Sequence, residues 1–437
     1  MRAVTSILVS GFLGMLLLIT GCSGARLMMP TPNVLTMENQ DIYGNLAPEL
    51  KSTEVQLFYA TDRKPEKDEA GNLRYGFERS ASIAFGKVVV DLGTDITWDD
   101  LLKASRTQQR LKPVKMEVKR IEEILRSPET PLPYKEVDGK IIEEPGYSAQ
   151  RARDNESFRK LLLEQLALSK RNEVFIYVHG YHNTFEDASF AMAELWHFLG
   201  RIGVPIIYTW PAGYPGIFGY TYDRESSEFT VYHLRRAIKF ISSIPEVEKI
   251  HLIAHSRGTD VASAAMRELT IAARAAGEHP REKYKIHNLI LAAPDLDLDV
   301  AKQRLGGDQV GLSAHRVTVY TSPEDKAIGI AAKLFASPRG RIGTFGVSEA
   351  TGDIKQQLEY STANVAFVNF QGAKGGQKDQ RDTYGHSYFR DAPTVSSDLV
   401  LMLRNDLDPG DPGRPLEPLG LHFWRVPPGY PNITEKQ

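Results

Sequence analysis

Three residues in this chain of 437 stand where a nucleophilic reaction needs them: Ser256, Asp325 and His386. A serine hydroxyl is a weak nucleophile until an adjacent base accepts its proton and a third group orients that base. Ser256 sits in Ala254-His255-Ser256-Arg257-Gly258, directly after a strand pattern at 249–254 and directly before a helical pattern. A serine raised on such a strand-to-helix turn needs small neighbours so that strand and helix can approach each other. Gly258 meets that need, and Ala254 adds one methyl group where glycine is usual. The N-terminal N–H groups and dipole of the following helix favour a developing oxyanion. The same position also suits a plain serine N-cap, so the turn alone does not decide the matter.

The other two groups follow later strands. Asp325 comes just after a strand run at 316–320, in Thr321-Ser322-Pro323-Glu324-Asp325. His386 comes after the run at 365–370, in Tyr384-Gly385-His386-Ser387-Tyr388. Of eleven histidines, only His386 and His422 fall beyond that run, and His422 between Leu421 and Phe423 suits packing. Asp295, in Ala292-Ala293-Pro294-Asp295, is an alternative acid one strand earlier, and Glu324 is a third candidate. The oxyanion donors expected for such a serine are the Arg257 N–H and an N–H from the loop His179-Gly180-Tyr181-His182-Asn183, most simply that of Tyr181. His179 and His182 lack a third ligand at a recognisable spacing, so no metal is expected. No phosphate-cradling loop and no G-x-G-x-x-G follows a strand, so no nucleotide cofactor is expected either.

These groups need elements to hold them. Val174-Phe175-Ile176-Tyr177-Val178 is a continuous apolar run, as in a strand buried on both faces. Further strands are expected at 55–60, 82–90, 205–210, 249–254, 288–292, 316–320 and 365–370, with helices near 185–199, 226–241 and 257–276. Alternation of this kind predicts a mainly parallel central sheet with helices on both faces, an α/β fold. Ligands of such sheets sit at the carboxyl ends of the strands, where Ser256, Asp325 and His386 are expected to meet. In the α/β-hydrolase fold the chain order is Ser, then Asp or Glu, then His, as here. Residues 97–150 change composition and read as a helical insertion, with a charge-rich helical stretch at 114–125. Tyr214, Ile217, Phe218 and Tyr220 suit either a lid over the site or a packed surface loop.

The first residues address the chain elsewhere. Arg2 precedes a short apolar run, 7–19, that is too short to span a bilayer and reads as a signal peptide over 1–21. It ends in Ile19-Thr20-Gly21-Cys22, which resembles the lipobox of bacterial lipoproteins, with Cys22, the single cysteine, as the lipid-modified residue. Residues 22–52 read as a tether and 53–437 as the catalytic domain. The reading therefore places the protein in the bacterial envelope, at the outer membrane facing the periplasm if the cell is Gram-negative. A formal charge of −2 gives no footprint for nucleic acid.

Taken together, several motifs resemble one bacterial α/β-hydrolase family, that catalogued as domain of unknown function 900. They are Tyr59-Ala60-Thr61-Asp62-Arg63, Val178-His179-Gly180-Tyr181, Trp210-Pro211-Ala212, Ala254-His255-Ser256-Arg257-Gly258, Ala293-Pro294-Asp295, Tyr320-Thr321-Ser322 through Asp325-Lys326-Ala327, and Gly385-His386-Ser387-Tyr388. The resemblance implies the hydrolase fold and assigns Ser256, Asp325 and His386 to a triad. Arg257 replaces a methionine often seen in the family, where only the backbone N–H is required. It names no substrate. The expectation is a serine hydrolase cleaving a carboxylic ester, lipid or thioester. The alternative is a non-catalytic envelope lipoprotein that uses the fold for binding or scaffolding.

Overall fold

A computed structural model describes residues 26–37, 41–169, 171–216, 218–360, 364–372 and 384–432. The expected signal peptide, Cys22 and Ile217 lie outside the described residues. The strands are β1 (Arg26–Leu27), β2 (Glu54–Lys67), β3 (Leu73–Asp91), β4 (Lys115–Arg126), β5 (Tyr134–Val137), β6 (Lys140–Glu143), β7 (Glu173–Val178), β8 (Val204–Thr209), β9 (Lys249–His255), β10 (Ile286–Ala292), β11 (Ala314–Thr321), β12 (Val365–Asn369), β13 (Glu417–Gly420) and β14 (Phe423–Arg425). The longer helices are α1 (Trp98–Ala104), α2 (Pro145–Ser169), α3 (Phe185–Phe198), α4 (Gly219–Ser242), α5 (Gly258–Ala275), α6 (Lys326–Leu334) and α7 (Pro393–Asn405).

Twelve strands form one sheet in the order β1-β4-β3-β2-β8-β7-β9-β10-β11-β12-β14-β13. Every neighbouring pair from β2 to β14 is parallel, and the antiparallel pairs lie at the two edges. This is the mainly parallel sheet expected from the alternating pattern, in the α/β-hydrolase fold that the family resemblance implies. Side chains of the central strands alternate between two cores. Val174, Ile176 and Val178 pack with Phe158 of α2, Leu234 of α4 and Leu269 of α5. Phe175 and Tyr177 pack on the other face with Trp196 of α3 and Leu399 of α7. Burial on both faces explains why Val174–Val178 is an unbroken apolar run.

Two expectations fail for identifiable reasons. Residues 114–125 are not helical: they form β4, paired antiparallel with β3. The helix-like spacing of Val118, Ile121 and Leu125 arises from two register shifts in that pairing, at Phe85/Gly86 and Val89/Val90. An extra residue at a bulge keeps Val118 and Ile121 on one face and sends Leu125 to the other core. The region is thus an extension of the sheet, with α1 and the exposed hairpin β5–β6 around it, not a helical insertion.

Nor does the described part of 22–52 behave as a tether. Arg26 and Leu27 pair with β4, and Met28, Met29, Val34, Leu35, Ile42 and Tyr43 are buried. The Met29 N–H donates to Glu194 at 2.9 Å, and the Val34 N–H donates to Ser397 Oγ at 3.0 Å. Their apolar residues lack a period because the segment crosses helix surfaces as irregular chain, leaving no pattern for a sequence to display.

A buried ion pair ties the C-terminal strands to α7. Asp398 takes two 2.8 Å bonds from Arg414 and accepts the hydroxyls of Tyr320 at 2.7 Å and Tyr430 at 2.8 Å. Both partners have fully buried side chains. Removing one partner leaves an uncompensated charge, so Asp398→Ala should lower the unfolding free energy by roughly 3–5 kcal/mol in urea melts. A loss below about 1 kcal/mol would show that the pair does not hold this edge.

Candidate active site

Ser256 ends β9 in a left-handed conformation, with φ of 53°. For a residue with a side chain that conformation is strained, so the surroundings must impose it. The Ser256 N–H donates to Ala292 O of β10 at 2.9 Å. Its carbonyl accepts the Thr259 N–H at 3.0 Å and the Thr259 hydroxyl at 2.6 Å. Gly258 is required by contact, because a Cβ there would stand 2.2 Å from His179 O. Gly180 is required for the same reason, since its Cβ would stand 2.7 Å from Ser256 Cβ. The loop after β7 is therefore pressed directly against the serine.

The sheet brings Ser256, His386 and Asp325 together across three strand ends. Ser256 Oγ lies 2.7 Å from His386 Nε2, and His386 Nδ1 lies 2.7 Å from Asp325 Oδ2. A carboxylate only accepts, so Nδ1 carries the proton and Nε2 is left to accept from the serine hydroxyl. The other Asp325 oxygen accepts the Ile328 N–H at 3.0 Å, making Asp325 the N-cap of α6. The fully buried carboxylate is thereby fixed in direction. Asp295 does not reach His386: it is paired with Arg341 at 2.6 Å and bonded by the Tyr220 hydroxyl at 3.3 Å. Glu324 is exposed, and His422 bonds Leu358 O at 3.1 Å.

Of the two expected oxyanion donors, Arg257 follows Ser256 in the chain and Tyr181 follows Gly180, which abuts Ser256. Neither the Arg257 nor the Tyr181 N–H donates to a described residue. The Arg257 side chain turns back to Asp260 at 2.9 Å and Ser227 at 3.3 Å. Of the aromatic segment, Tyr220 packs against Tyr181, with ring centroids 5.2 Å apart, and stacks on Phe335 at 5.0 Å. Tyr214 instead stacks on Tyr222 at 4.7 Å, and Phe218 is exposed.

Asp223, which the sequence did not single out, and Arg63, His179 and Trp210, which lie in the recognised motifs, hold this loop. Asp223 accepts the N–H groups of His182 at 3.0 Å and Gly213 at 3.1 Å, and burial raises its pKa. Arg63 is buried and donates to Asn183 O at 2.8 Å, Ala212 O at 2.9 Å and Gly76 O at 2.7 Å. His179 stacks on Trp210; its Nε2 accepts the Trp210 N–H at 3.0 Å and its carbonyl accepts the indole N–H at 2.8 Å. These bonds explain why Asp62-Arg63, His179-Gly180 and Trp210-Pro211-Ala212 occur together: they are one scaffold beneath one loop. His179 and His182 thus serve the loop.

His255 is the other omission. Its Nε2 lies 3.2 Å from His386 O, and its ring packs on Phe389 at 4.7 Å. As the donor there, it holds the His386 backbone. Burial, with the adjacent His386, pushes the His255 pKa well below the usual histidine value. Burial and the neighbouring Arg63 push that of His179 down to about 3. Both rings are accordingly neutral above pH 6.5 in folded and unfolded chain alike, and stay neutral in the folded chain below it. In histidine-ring NMR, His179 and His255 should keep neutral-imidazole shifts from about pH 8 to pH 5. Protonation of either in that window would contradict the geometry.

Residues 154–404 match the family described as "Alpha/beta hydrolase of unknown function (DUF900)". No curated protein matches. Among solved structures, the chain resembles a lipase-esterase related protein from Clostridium acetobutylicum ATCC 824 at 11% identity, covering 55% of this chain and 96% of that one, with a TM-score of 0.28. An esterase of Pyrobaculum calidifontis matches at 11% identity over 59% of this chain and 93% of its own, with a TM-score of 0.27. A putative hydrolase from Agrobacterium vitis S4 matches at 16% identity over 38% of this chain and 76% of its own, with a TM-score of 0.21. The family match spans more than half of the chain, which therefore belongs to this family of α/β-hydrolases.

Proposed function

We propose that the protein is a serine hydrolase that cleaves a carboxylic ester, lipid or thioester through an acyl-enzyme. The observation that carries this reading is the relay of two 2.7 Å contacts from Ser256 Oγ through His386 to Asp325. Ser256 Oγ attacks the carbonyl carbon while His386 Nε2 takes its proton. Asp325 keeps Nδ1–H in place and stabilises the imidazolium that forms. The Arg257 and Tyr181 N–H groups point at the oxyanion of the tetrahedral intermediate. Its collapse breaks the bond to the alcohol or thiol, which leaves with the proton from His386. Water, deprotonated by His386, then attacks the acyl-serine and releases the acid.

Hydrolysis of p-nitrophenyl esters of graded chain length tests the reading and ranks the acyl chain. Ser256→Ala should lower kcat by roughly 10³-fold or more, and Asp325→Asn by a comparable factor. Asp295→Asn, whose carboxylate is engaged by Arg341 and Tyr220 and not by His386, should stay within about tenfold of the parent. Equal turnover by Ser256→Ala, or no turnover by the parent on any ester, would instead favour a binding or scaffolding lipoprotein.

Lipid anchoring of this enzyme in the bacterial envelope through Cys22 is part of the same proposal. It rests on the charged start, the short apolar run and Ile19-Thr20-Gly21-Cys22. Among the described residues, no helix is long and apolar enough to cross a membrane. Multiple acyl chains on one terminus suffice for stable attachment, at about 0.8 kcal/mol per buried CH₂. Cys22→Ser should move the protein from the membrane fraction to the soluble fraction. Continued sedimentation with membranes would remove the anchor from the account.

A further inference from the structure

Helix α6 is apolar and has little to pack on. Its sequence, Lys326-Ala327-Ile328-Gly329-Ile330-Ala331-Ala332-Lys333-Leu334, carries two exposed lysines and no acid, and of its nine residues only Ile328 is buried. Ile330 and Leu334, four apart on one face, are 41% and 45% exposed. Phe218, at the start of α4, is 66% exposed. One exposed leucine carries no information, whereas a helix that turns its large apolar residues outward marks a contact surface.

Both ends of α6 touch the serine site. Asp325, the triad acid, caps its start. Phe335, just past its end, stacks on Tyr220, whose ring packs against Tyr181 in the loop after β7. The helix, about 14 Å long, therefore borders the site from Asp325 to Tyr181. Phe218 stands two residues before Tyr220 on the same border.

The second observation is the length of chain that leads to the anchor. Arg26 lines a polar cavity together with His255 and Ser387, the first bonded to the His386 carbonyl and the second next to His386 in the chain. From Arg26 back to Cys22 is four residues, at most about 14 Å of chain. The residues that follow Arg26 are bonded to β4, α3 and α7, so they supply no slack. An acylated Cys22 thus holds the serine site close to a bilayer, and α6 and Phe218 are the apolar surface beside that site.

We propose that α6 and Phe218 dock on the bilayer in which Cys22 is anchored, so that the site draws its acyl ester from the membrane and not from solution. Apolar side chains entering the interface and lysines attracted to anionic head groups are the two contributions that strengthen such contact. The inference rests on the hydrolase and anchor readings above and names their substrate class.

The lipidated full chain, floated with vesicles of phosphatidylethanolamine and phosphatidylglycerol, tests it. Cys22 is the single cysteine, so once it is acylated a thiol-reactive nitrobenzoxadiazole probe marks only a cysteine introduced by Leu334→Cys or, as control, by Ile141→Cys. Ile141 is exposed on β6, whose Glu143 shares a cavity with Arg236, about 24 Å along α4 from Tyr220. With vesicles, the probe on the Leu334→Cys chain should brighten and shift to the blue, and that on the Ile141→Cys chain should not. The double variant Ile330→Asp/Leu334→Asp should lower turnover of p-nitrophenyl palmitate held in the vesicles, relative to p-nitrophenyl butyrate in solution, by about tenfold or more. A probe response on Leu334→Cys no larger than on Ile141→Cys, or an unchanged ratio of the two turnovers, would overturn the docking. A parent that hydrolyses neither ester would strike the hydrolase reading itself and leave the probe to decide the docking. A parent that takes up the probe or fails to float would strike the anchor, and the proposal with it.

Discussion

The left-handed backbone at Ser256 is the constraint on which the rest of the site depends. A serine at a φ of 53° is a strained residue, held there by Ala292 O, the Thr259 amide and the Thr259 hydroxyl. That conformation brings Oγ, just past the end of β9, to 2.7 Å from His386 Nε2. It also draws strand, helix and the loop after β7 so close that side chains at 180 and 258 are sterically forbidden. The strain is paid for by the central sheet, whose β9 is buried on both faces between β7 and β10.

Once that loop is pressed against the serine, its backbone must be held without water. Asp223, Arg63, His179 and Trp210 do this, each bonded to main-chain groups and not to the reacting atoms. The histidines divide by burial. His179 and His255 are enclosed and kept neutral, which leaves them as fixed donors and acceptors. His386 faces both the serine and a carboxylate, the arrangement in which an imidazole can gain and lose a proton. Asp325 gains its fixed direction from capping α6, so a helix start orients the base as well as the acid.

Much of this was legible in the sequence because the relevant signals are local. Val174–Val178 of β7 is a continuous apolar run, the later strands are apolar-rich and alternate with helical patterns, and Ser256, Asp325 and His386 follow strands in the order that the fold requires. The Gly258 and Gly180 positions were readable as small residues at a turn. What was hidden depends on long-range contact. β4 carries helix-like spacing because its bulges exist only in pairing with β3. The described residues of the expected tether, 26–37 and 41–50, have no period because they pack as irregular chain on helix surfaces, with Met29 and Val34 bonded to α3 and α7. Asp223 stands in Thr221-Tyr222-Asp223-Arg224, with nothing to separate it from a solvated helix acid. Arg63 and His255 lay inside recognised motifs, but their bonds to Asn183, Ala212 and the His386 carbonyl join segments far apart in the chain.

The central claim is that Ser256 is a nucleophile made reactive by this geometry. The most direct measurement is intact-protein mass after exposure to a fluorophosphonate, followed by peptide mapping of the adduct. The account predicts one adduct per chain, located on Ser256, and its disappearance when His386 is replaced by alanine. An unmodified protein, or an adduct on another residue with Ser256 untouched, would contradict it.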